Sequence, residues 1–510
     1  MFKYGSILFI FTTLSCESWL DIKPIDRSSG AELFSSREGF IKALNGVYVE
    51  LNNRNLYGRN METMVDVMGH YFNVSSSGVY DQVRRFSYTS TDAIAVYEAI
   101  WQKVYNLIVN LNVIIDECGE SNSALNGIWH GLIKGEALAM RAFLHLDMLR
   151  LYGPVYINDP TAVCIPYVVN TDQMVSPLLP ANEISQLIIK DLTDAIALLK
   201  ETDPIIENGV MNSADAGGDN SLRYRQYRMN YYAARAVLAR AYMWIGDHQS
   251  AYTTATALLR DAHAAGSEVF PFITTSAATD GTVPDRKFST EAIFSIYDNY
   301  ITTGIYDYAF SPTLDDTRIL RLFYANNAEL WSGRISQLFD NIDDYRYKLW
   351  FATYPAMEGR TTVHYIRKFQ SASGSLTAAQ RNVESAFRNM HPLIRITEIY
   401  LIAAESCLNI NPAALDEAKG YLNKIRAARN VADLPGEEVA QVRNNIEWEF
   451  RREFLGDGQM FYFYKRIGKQ MIPSGQSATA DIEMNTLTYV VPLPASEISE
   501  RADTNSTNNN

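Results

Sequence analysis

Apolar side chains recur at intervals of three and four residues along much of this chain, the spacing expected of one face of an amphipathic α-helix. The clearest stripe lies in residues 96–118 and consists of Ile100, Val104, Leu107, Ile108, Leu111 and Ile115. The same periodicity predicts helices over residues 125–152, 184–199, 230–245, 250–259, 393–408, 412–429 and 438–455. In the helix over 125–152, Gly135, Ala139 and Ala142 leave room for a second helix to pack closely. We therefore predict a mostly α-helical protein.

Two stretches of the chain share one design: "AARAVLARAYMWIGDHQSAYTTATALL" (233–259) and "RITEIYLIAAESCLNINPAALDEAKGYLNKIR" (395–426). Each has a helix rich in Ala and aromatic residues, a tight turn, and a second helix that opens near an Ala. Small residues of this kind let paired helices nest, as in tetratricopeptide units. The two stretches do not belong to a tandem array with a fixed 34-residue period, so the prediction is of tetratricopeptide-like helical hairpins.

Residues 264–390, between these hairpins, differ in composition. They are rich in Gly, Ser, Thr and Tyr, and they contain short alternating pieces such as "EAIFSIYDNY". This pattern indicates loops with a few short strands. We predict a single body with a helical scaffold over about 30–263 and 391–470, an irregular insertion over about 264–390, and a closing segment over 471–510.

Composition and charge narrow the classes of function. The chain has 510 residues, 47% of them hydrophobic and 20% charged, a balance typical of a globular protein. Its formal net charge of −13 would repel a nucleic-acid backbone, so nucleic acid is not an expected partner. Many of the 31 tyrosines lie in polar stretches where a core would not use them. This surplus indicates a role for tyrosine at the surface.

The amino-terminal residues have the pattern of a secretory signal. Lys3 precedes the short apolar run 7–11, and the small Ser15 directly precedes Cys16. Residues 1–15 are too short to span a bilayer and are predicted to be a signal peptide. Cys16 is then either an ordinary thiol or the attachment point of a lipid. The other cysteines, Cys118, Cys164 and Cys407, are odd in number and are predicted to be buried free thiols.

Motifs for catalysis are missing from the sequence. No two of the seven histidines stand four residues apart, and HExxH, GxSxG and GxxxxGK[ST] do not occur. The acidic pairs Asp315–Asp316 and Asp343–Asp344 could supply the two carboxylates of a glycosidase, but solvated loop charges and helix caps explain them better. We expect no catalytic residues, no metal site and no cofactor.

The stretch "IEWEFRREFLGDGQMFYFYKRIG" (446–468) alternates charged and aromatic residues before a Gly-Asp-Gly break. It favours a helix that buried Arg–Glu pairs and aromatic packing hold in the scaffold, although the aromatics could instead face a ligand. The stretch resembles the carboxy-terminal signature of the SusD/RagB family, outer-membrane lipoproteins of Bacteroidetes. Further segments are similar to that family in the same order along the chain: "EALAMRAFLHLDMLRLYGPVYI" (136–157), "ARAYMWIGDHQSA", "RITEIYLIAAES", "LNKIRAAR" and "YVVPLPASEI" (489–498).

The resemblance implies a SusD-like α-α superhelix and a binding protein, not an enzyme. Such a protein would be lipid-anchored at Cys16, face the cell exterior, capture oligosaccharides and pass them to a SusC-like TonB-dependent transporter. A peptide-binding RagB-like member of the family is an alternative. A glycoside hydrolase on this scaffold and a purely scaffolding tetratricopeptide protein are further, weaker ones.

Two loop regions are candidates for the ligand site. The apolar faces of sugar rings stack on Tyr and Trp, while polar side chains bond the hydroxyls. In "GHYFNVSSSGVYDQVRR" (69–85) the candidates are Tyr71, Asn73, Tyr80 and Asp81. In and after "YDNYITTGIYDYAF" (297–310) they are Tyr300, Tyr306 and Trp331. Alternatively, these tyrosines simply pack the insertion.

Overall fold

The computed structural model describes residues 32–171, 175–263, 268–298, 304–324, 329–355, 362–372, 375–434 and 438–507. The helices in chain order are α1 Arg37–Leu51, α2 Asn60–Met68, α3 Val79–Arg84, α4 Thr91–Cys118, α5 Trp129–Tyr152, α6 Ala181–Thr202, α7 Ile205–Asn208, α8 Tyr231–Ile245, α9 His248–Asp261, α10 Thr275–Thr279, α11 Gly333–Leu338, α12 Tyr345–Trp350, α13 Ala378–Ser385, α14 Ile396–Ile410, α15 Leu415–Ala428, α16 Val439–Glu453, α17 Met460–Arg466, α18 Thr486–Tyr489 and α19 Ala495–Thr507. The prediction of a mostly helical protein is confirmed.

The strands are short and form four antiparallel pairs in the described part of the chain. They are β1 Val163–Pro166 with β2 Leu178–Pro180, β3 Ala292–Tyr297 with β6 Met390–Arg395, β4 Phe351–Tyr354 with β5 Val363–Ile366, and β7 Met471–Pro473 with β8 Asp481–Glu483. The β3–β6 pair closes the base of the predicted insertion, and β6 runs directly into α14. Besides strands and loops, the insertion contains the short helices α10 to α13, which its composition did not predict.

The amino-terminal helices form the centre of the core. Helix α4 begins where the Ser90 side chain accepts a hydrogen bond from the backbone N–H of Ala93, and it buries the predicted stripe, with Ile114 in place of the half-buried Ile115. Helix α5 is buried along almost its whole length. Gly135 allows α5 to lie close to α6, since a Cβ there would stand 2.8 Å from Cγ of Leu199. Small residues in α5 therefore permit the helix contact that the sequence indicated.

Two helical hairpins follow, as predicted. The turn between α8 and α9 passes through Gly246, whose φ of 77° favours glycine. Helices α14 and α15 form the second hairpin, and α9 packs against α14. Arg240 of α8 makes a buried bidentate ion pair with Glu398 of α14, with both nitrogen–oxygen distances at 2.7 Å. The two hairpins thus form one continuous scaffold.

Helix α16, which carries the "RREF" sequence, lies in a buried ion-pair network. The Glu453 carboxylate is within 2.9 Å of Arg346, 2.6 Å of Arg395 and 2.7 Å of Arg429. Glu449, one turn earlier, bonds Arg346 and Arg452. This confirms that the helix is held in the scaffold by Arg–Glu pairs.

Two further features concern the cysteines and the apolar character of the helices. Cys118, Cys164 and Cys407 are buried free thiols, as expected. Within the described ranges, no helix combines the length and the apolar character that crossing a membrane requires. Cys16 and the predicted signal peptide lie outside the described residues.

Candidate functional site

Three candidates from the first loop lie in the interior. Tyr71 is 1% exposed, and its hydroxyl donates to the carbonyl of Arg451 at 2.8 Å. Tyr80 and Asp81 are each 2% exposed, and the Asp81 carboxylate accepts from Arg84 and Arg85. Burial of their side chains corrects the expectation that these residues face a ligand, because in this structure they present no surface for one to contact.

Asn73 is the member of this loop that reaches the insertion. It is half-buried, and its backbone N–H donates to the carbonyl of Arg321 at 2.7 Å. In the amide orientation that satisfies both of its polar atoms, Gln476 donates to Oδ1 of Asn73 at 2.9 Å. Asn73 therefore joins the first loop, the insertion and the closing segment at one place.

The β4–β5 hairpin organises the aromatic residues of the insertion. Its register pairs Phe351 with Ile366 and Thr353 with His364. Because side chains alternate along a strand, these four residues share one face of the hairpin. The opposite face carries Ala352, Tyr354, Val363 and Tyr365. We refer to them as the histidine face and the tyrosine face.

Tyr324 lies against the histidine face. Its ring stands perpendicular to that of His364 with centroids 4.8 Å apart, and Nδ1 of His364 is 2.9 Å from Oγ1 of Thr353. Arg321 approaches the Tyr324 ring at 5.7 Å. The same residue accepts the Asn73 bond through its carbonyl, so the first loop meets the hairpin beside Tyr324.

Trp331 reaches the same face through a neighbouring ring. It packs edge-on against Tyr347 at 4.8 Å, and Tyr347 stacks on Phe351 at 6.2 Å. The turn after Trp331 needs Gly333, whose φ is +54° and where a Cβ would stand 2.5 Å from the carbonyl oxygen of Phe323. Trp331 and Tyr347 are half-buried, so each ring keeps part of its surface accessible.

Tyr306 lies on the other side of the hairpin. Burial raises the pKa of its hydroxyl, and Tyr365 of the tyrosine face adds to this effect. The structure thus brings two predicted residues, Tyr306 and Trp331, to one hairpin but to opposite faces of it. Tyr300 lies outside the described residues.

Sequence reasoning did not select Tyr324, Tyr347 and Tyr365. The available signal was the alternating run "VHYI" at β5, which places a histidine and a tyrosine on opposite faces of a strand. Tyr324 and Tyr347 lie in segments without regular spacing. Their position beside the hairpin follows from tertiary contacts.

The acidic pairs do not have the properties of a glycosidase acid and nucleophile. Asp344 is buried against Arg346 at 2.6 Å, and Asp343 pairs with Lys348 at 2.6 Å. Hydrogen bonds from Thr317 and Arg318 lower the pKa of Asp315 to about 2, whereas a general acid needs a raised pKa. Within the ranges that the structure describes, no group of three or more His, Cys, Asp and Glu side chains could hold a metal ion.

The described structure is thus a helical scaffold that carries half-buried aromatic rings on a small hairpin, and partly accessible rings of this kind are typical of ligand-binding surfaces. The family to which it belongs follows from two matches. Residues 316–509 match the model of the SusD family, and residues 18–243 match the SusD-like model described as "Starch-binding associating with outer membrane". The chain belongs to the SusD/RagB family.

Individual relatives agree with this assignment. A SusD-like protein of Bacteroides ovatus is 25% identical over 250 residues, which cover 48% of this chain and 40% of that relative's length. A SusD superfamily protein of Bacteroides thetaiotaomicron superposes with a TM-score of 0.69 at 21% identity, over 92% of this chain and 98% of its own. A SusD-like carbohydrate binding protein of Bacteroides vulgatus superposes with a TM-score of 0.66 at 19% identity, over 92% of this chain and 97% of its own. At these identities the two structures establish the shared fold.

Proposed function

We propose that this protein is a surface-exposed lipoprotein that captures oligosaccharides and delivers them to a SusC-like TonB-dependent transporter in the outer membrane. The observation that carries the proposal is the set of half-buried rings at the β4–β5 hairpin in a chain of the SusD/RagB family. The description of the matched model as starch-binding and associated with the outer membrane supports the ligand class and the location.

The chemistry of the hairpin suits a sugar. The accessible parts of Trp331, Tyr324 and Tyr306 offer apolar ring faces on which pyranose rings stack. Asn73 and Arg321 lie next to Tyr324 and can bond hydroxyl groups. Tyr71 would contribute indirectly. Its buried ring lies 4.9 Å from the guanidinium of Arg451, and this contact holds the first loop in place. The protein would act by binding, without chemistry on its ligand.

Attachment to the membrane is assigned to Cys16. Cleavage after Ser15 would leave this cysteine at the new amino terminus. Several acyl chains on one residue hold a protein stably, where a single chain binds only reversibly. The anchor would keep the binding site close to the transporter on the outer face of the membrane.

The site is tested by substituting Trp331 and Tyr306 with Ala, singly, and titrating the purified proteins with a panel of oligosaccharides by calorimetry. Loss of a stacking ring is expected to weaken binding by about tenfold, roughly 1.4 kcal/mol. Trp129→Ala is the matched control. Trp129 is also half-buried, and the guanidinium of Arg37 lies 5.0 Å from its ring, but it is the first residue of α5 and is not part of the hairpin.

The two site variants should melt within a few degrees of the wild type, and the Trp129 variant should bind normally. If both site variants fold and bind every oligosaccharide that the wild type binds, each with wild-type affinity, the hairpin is not the site. If the wild type binds no oligosaccharide while binding peptides, the RagB-like alternative replaces the proposal.

A further inference from the structure

Two arginines meet at the open end of the β4–β5 hairpin. Arg367 directly follows β5, and its backbone N–H donates to the carbonyl of Trp350 at 2.7 Å. Trp350 directly precedes β4, and its indole Nε1 donates to the carbonyl of Arg286 at 2.7 Å. Arg367 comes two residues after Tyr365 and therefore continues the tyrosine face. Both arginines are half-buried, so part of each remains accessible to solvent.

The partners of the two guanidinium groups are neutral. Nη1 of Arg286 donates to the carbonyl of Gln370 at 3.0 Å, and its buried Nε has no hydrogen-bond partner among the described residues. Arg367 donates to the carbonyls of Leu349 at 3.0 Å and Lys348 at 2.9 Å. Neither arginine forms an ion pair with a carboxylate in the part of the chain that the structure describes. Two positive charges therefore stand together without a carboxylate counter-charge among the described residues.

The electrostatics of the neighbouring groups agree with this geometry. Burial, together with the like charge of Arg367, lowers the pKa of Arg286 to about 10. Asp307 is near Tyr306, but burial raises the pKa of its carboxyl, the opposite of what a nearby guanidinium would do. Lys287 is the next residue after Arg286. The nearby carboxylates of Asp298, Asp285 and Glu384 act to raise the pKa of Lys287.

Several buried arginines in the described ranges have a carboxylate partner, whereas Arg334 and Arg451 resemble Arg286 and Arg367 in having none. Arg346, Arg395 and Arg429 are each bonded to the carboxylate of Glu453. An unpaired charge that has lost part of its water is destabilising, and an anion that approaches it restores the lost interaction. Arginine is also the side chain whose planar fork best matches a carboxylate or a sulfate.

We infer that the oligosaccharide bound at this hairpin carries an anionic group, a uronate carboxylate or a sulfate ester, which Arg286 and Arg367 recognise beside Tyr306 and Tyr365. This inference rests on the proposed function and adds the ligand class. A neutral sugar could accept hydrogen bonds from the two guanidinium groups, but only an anionic group would also compensate their charge. An acidic sugar would stack on the tyrosine rings and place its charge against the arginines.

The test is calorimetric titration of the full protein with pairs of ligands that differ only in charge. One pair is trigalacturonate and its fully methyl-esterified form. The other is a sulfated carrageenan tetrasaccharide and its desulfated form. We expect the acidic member of at least one pair to bind at least tenfold more tightly than its neutral counterpart, and this preference to shrink with added salt. The pair that shows the preference identifies the carboxylate or the sulfate as the recognised group.

Arg286→Gln and Arg367→Gln are expected to weaken binding of the acidic ligand by at least tenfold and to change binding of its neutral form by less than threefold. Arg443→Gln is the control, since Arg443 is an exposed arginine of α16 that bonds Asn409. Arg367→Gln keeps the test decisive if Arg286→Gln fails to fold. Equal affinity for charged and neutral ligands, or folded arginine variants with wild-type affinity, overturns the inference and leaves glycan binding standing. Binding of neither member of any pair, or of any other oligosaccharide, overturns both.

Discussion

At the scale of single residues, Lys465 is the least compensated charge of the carboxy-terminal aromatic run. It is fully buried in α17, and its Nζ donates to the carbonyl of Leu151 at 3.1 Å. Burial lowers the pKa of its amine to about 7. Burial of this lysine therefore lowers the stability of the folded chain at every pH at which the lysine would be protonated in the unfolded chain.

Lys465→Met is expected to stabilise the protein by about 2 kcal/mol at pH 6. Between pH 7 and about 10 the unfolded lysine binds more protons than the folded one, so wild-type stability rises with pH and the advantage of the variant disappears by about pH 10. Urea unfolding at pH 6, 8 and 10 measures this difference. Lys469→Met is the control, because Lys469 is half-buried and paired with Glu447. A variant that is less stable at pH 6, or a difference that does not change with pH, would contradict the assignment.

At the scale of elements, helix α16 connects parts of the chain that are far apart in sequence. Glu449 and Glu453 lie one turn apart and are buried on the same side of the helix. The arginines that bond Glu453 come from α12, from the end of β6 and from the residue that follows α15. Burial alone would raise the pKa of Glu453, but Arg429, Arg395 and Arg346 hold it well below its usual range.

Glu453→Gln is expected to destabilise the protein by about 3–5 kcal/mol, because it leaves buried arginines without their charge partner. Glu447→Gln on the same helix is the control and should cost less than about 1 kcal/mol, since its ion pair is partly exposed. The contribution of Glu453 is present above the ordinary pKa of a glutamate and is lost as pH falls through its lowered value. Urea unfolding at pH 7 checks the first point, and a series that extends well below pH 4 checks the second. Equal effects of the two variants at pH 7 would refute the central role of Glu453.

At the scale of the whole molecule, the two family matches lie toward opposite ends of the chain, yet the ends share one structure. The hydroxyl of Tyr71 bonds the carbonyl of Arg451, and Arg240 pairs with Glu398. The insertion, which contains the β4–β5 hairpin, lies in the chain between the two halves of the helical scaffold. The site that we propose at this hairpin would therefore be held by both halves of the scaffold.

Cys16→Ala is expected to abolish incorporation of labelled palmitate and to move the protein out of the membrane fraction, because no other lipid attachment point is proposed. Metabolic labelling followed by cell fractionation measures both. Cys407→Ala is the matched control, since that thiol is buried and should leave labelling unchanged. Labelling and membrane retention of the Cys16 variant at the wild-type level would rule out the anchor.

Much of the scaffold could be predicted from local pattern. Apolar periodicity located the helices of both hairpins, and the alternation of charge and aromatic residues in 446–468 indicated the buried Arg–Glu network. The residues of the proposed hairpin site were predicted only in part. Tyr71 and Tyr80 belong to a Ser- and Gly-rich stretch that predicted an exposed loop, yet Tyr80 lies in helix α3 and both side chains are buried. Composition indicates how polar a segment is, but it does not show what packs over it.

The sequence by itself determined the helical class and the paired helices, because these follow from the spacing of residues within one segment. Short motifs in order along the chain gave the resemblance to the SusD/RagB family, and that resemblance implied a binding protein. Only the tertiary structure decided which aromatic rings remain accessible. It placed Trp331 and Tyr306 on opposite faces of one hairpin and brought Arg286 to Arg367. The reason is that exposure and the pairing of charges depend on segments up to hundreds of residues apart, and such contacts form only when the whole chain packs.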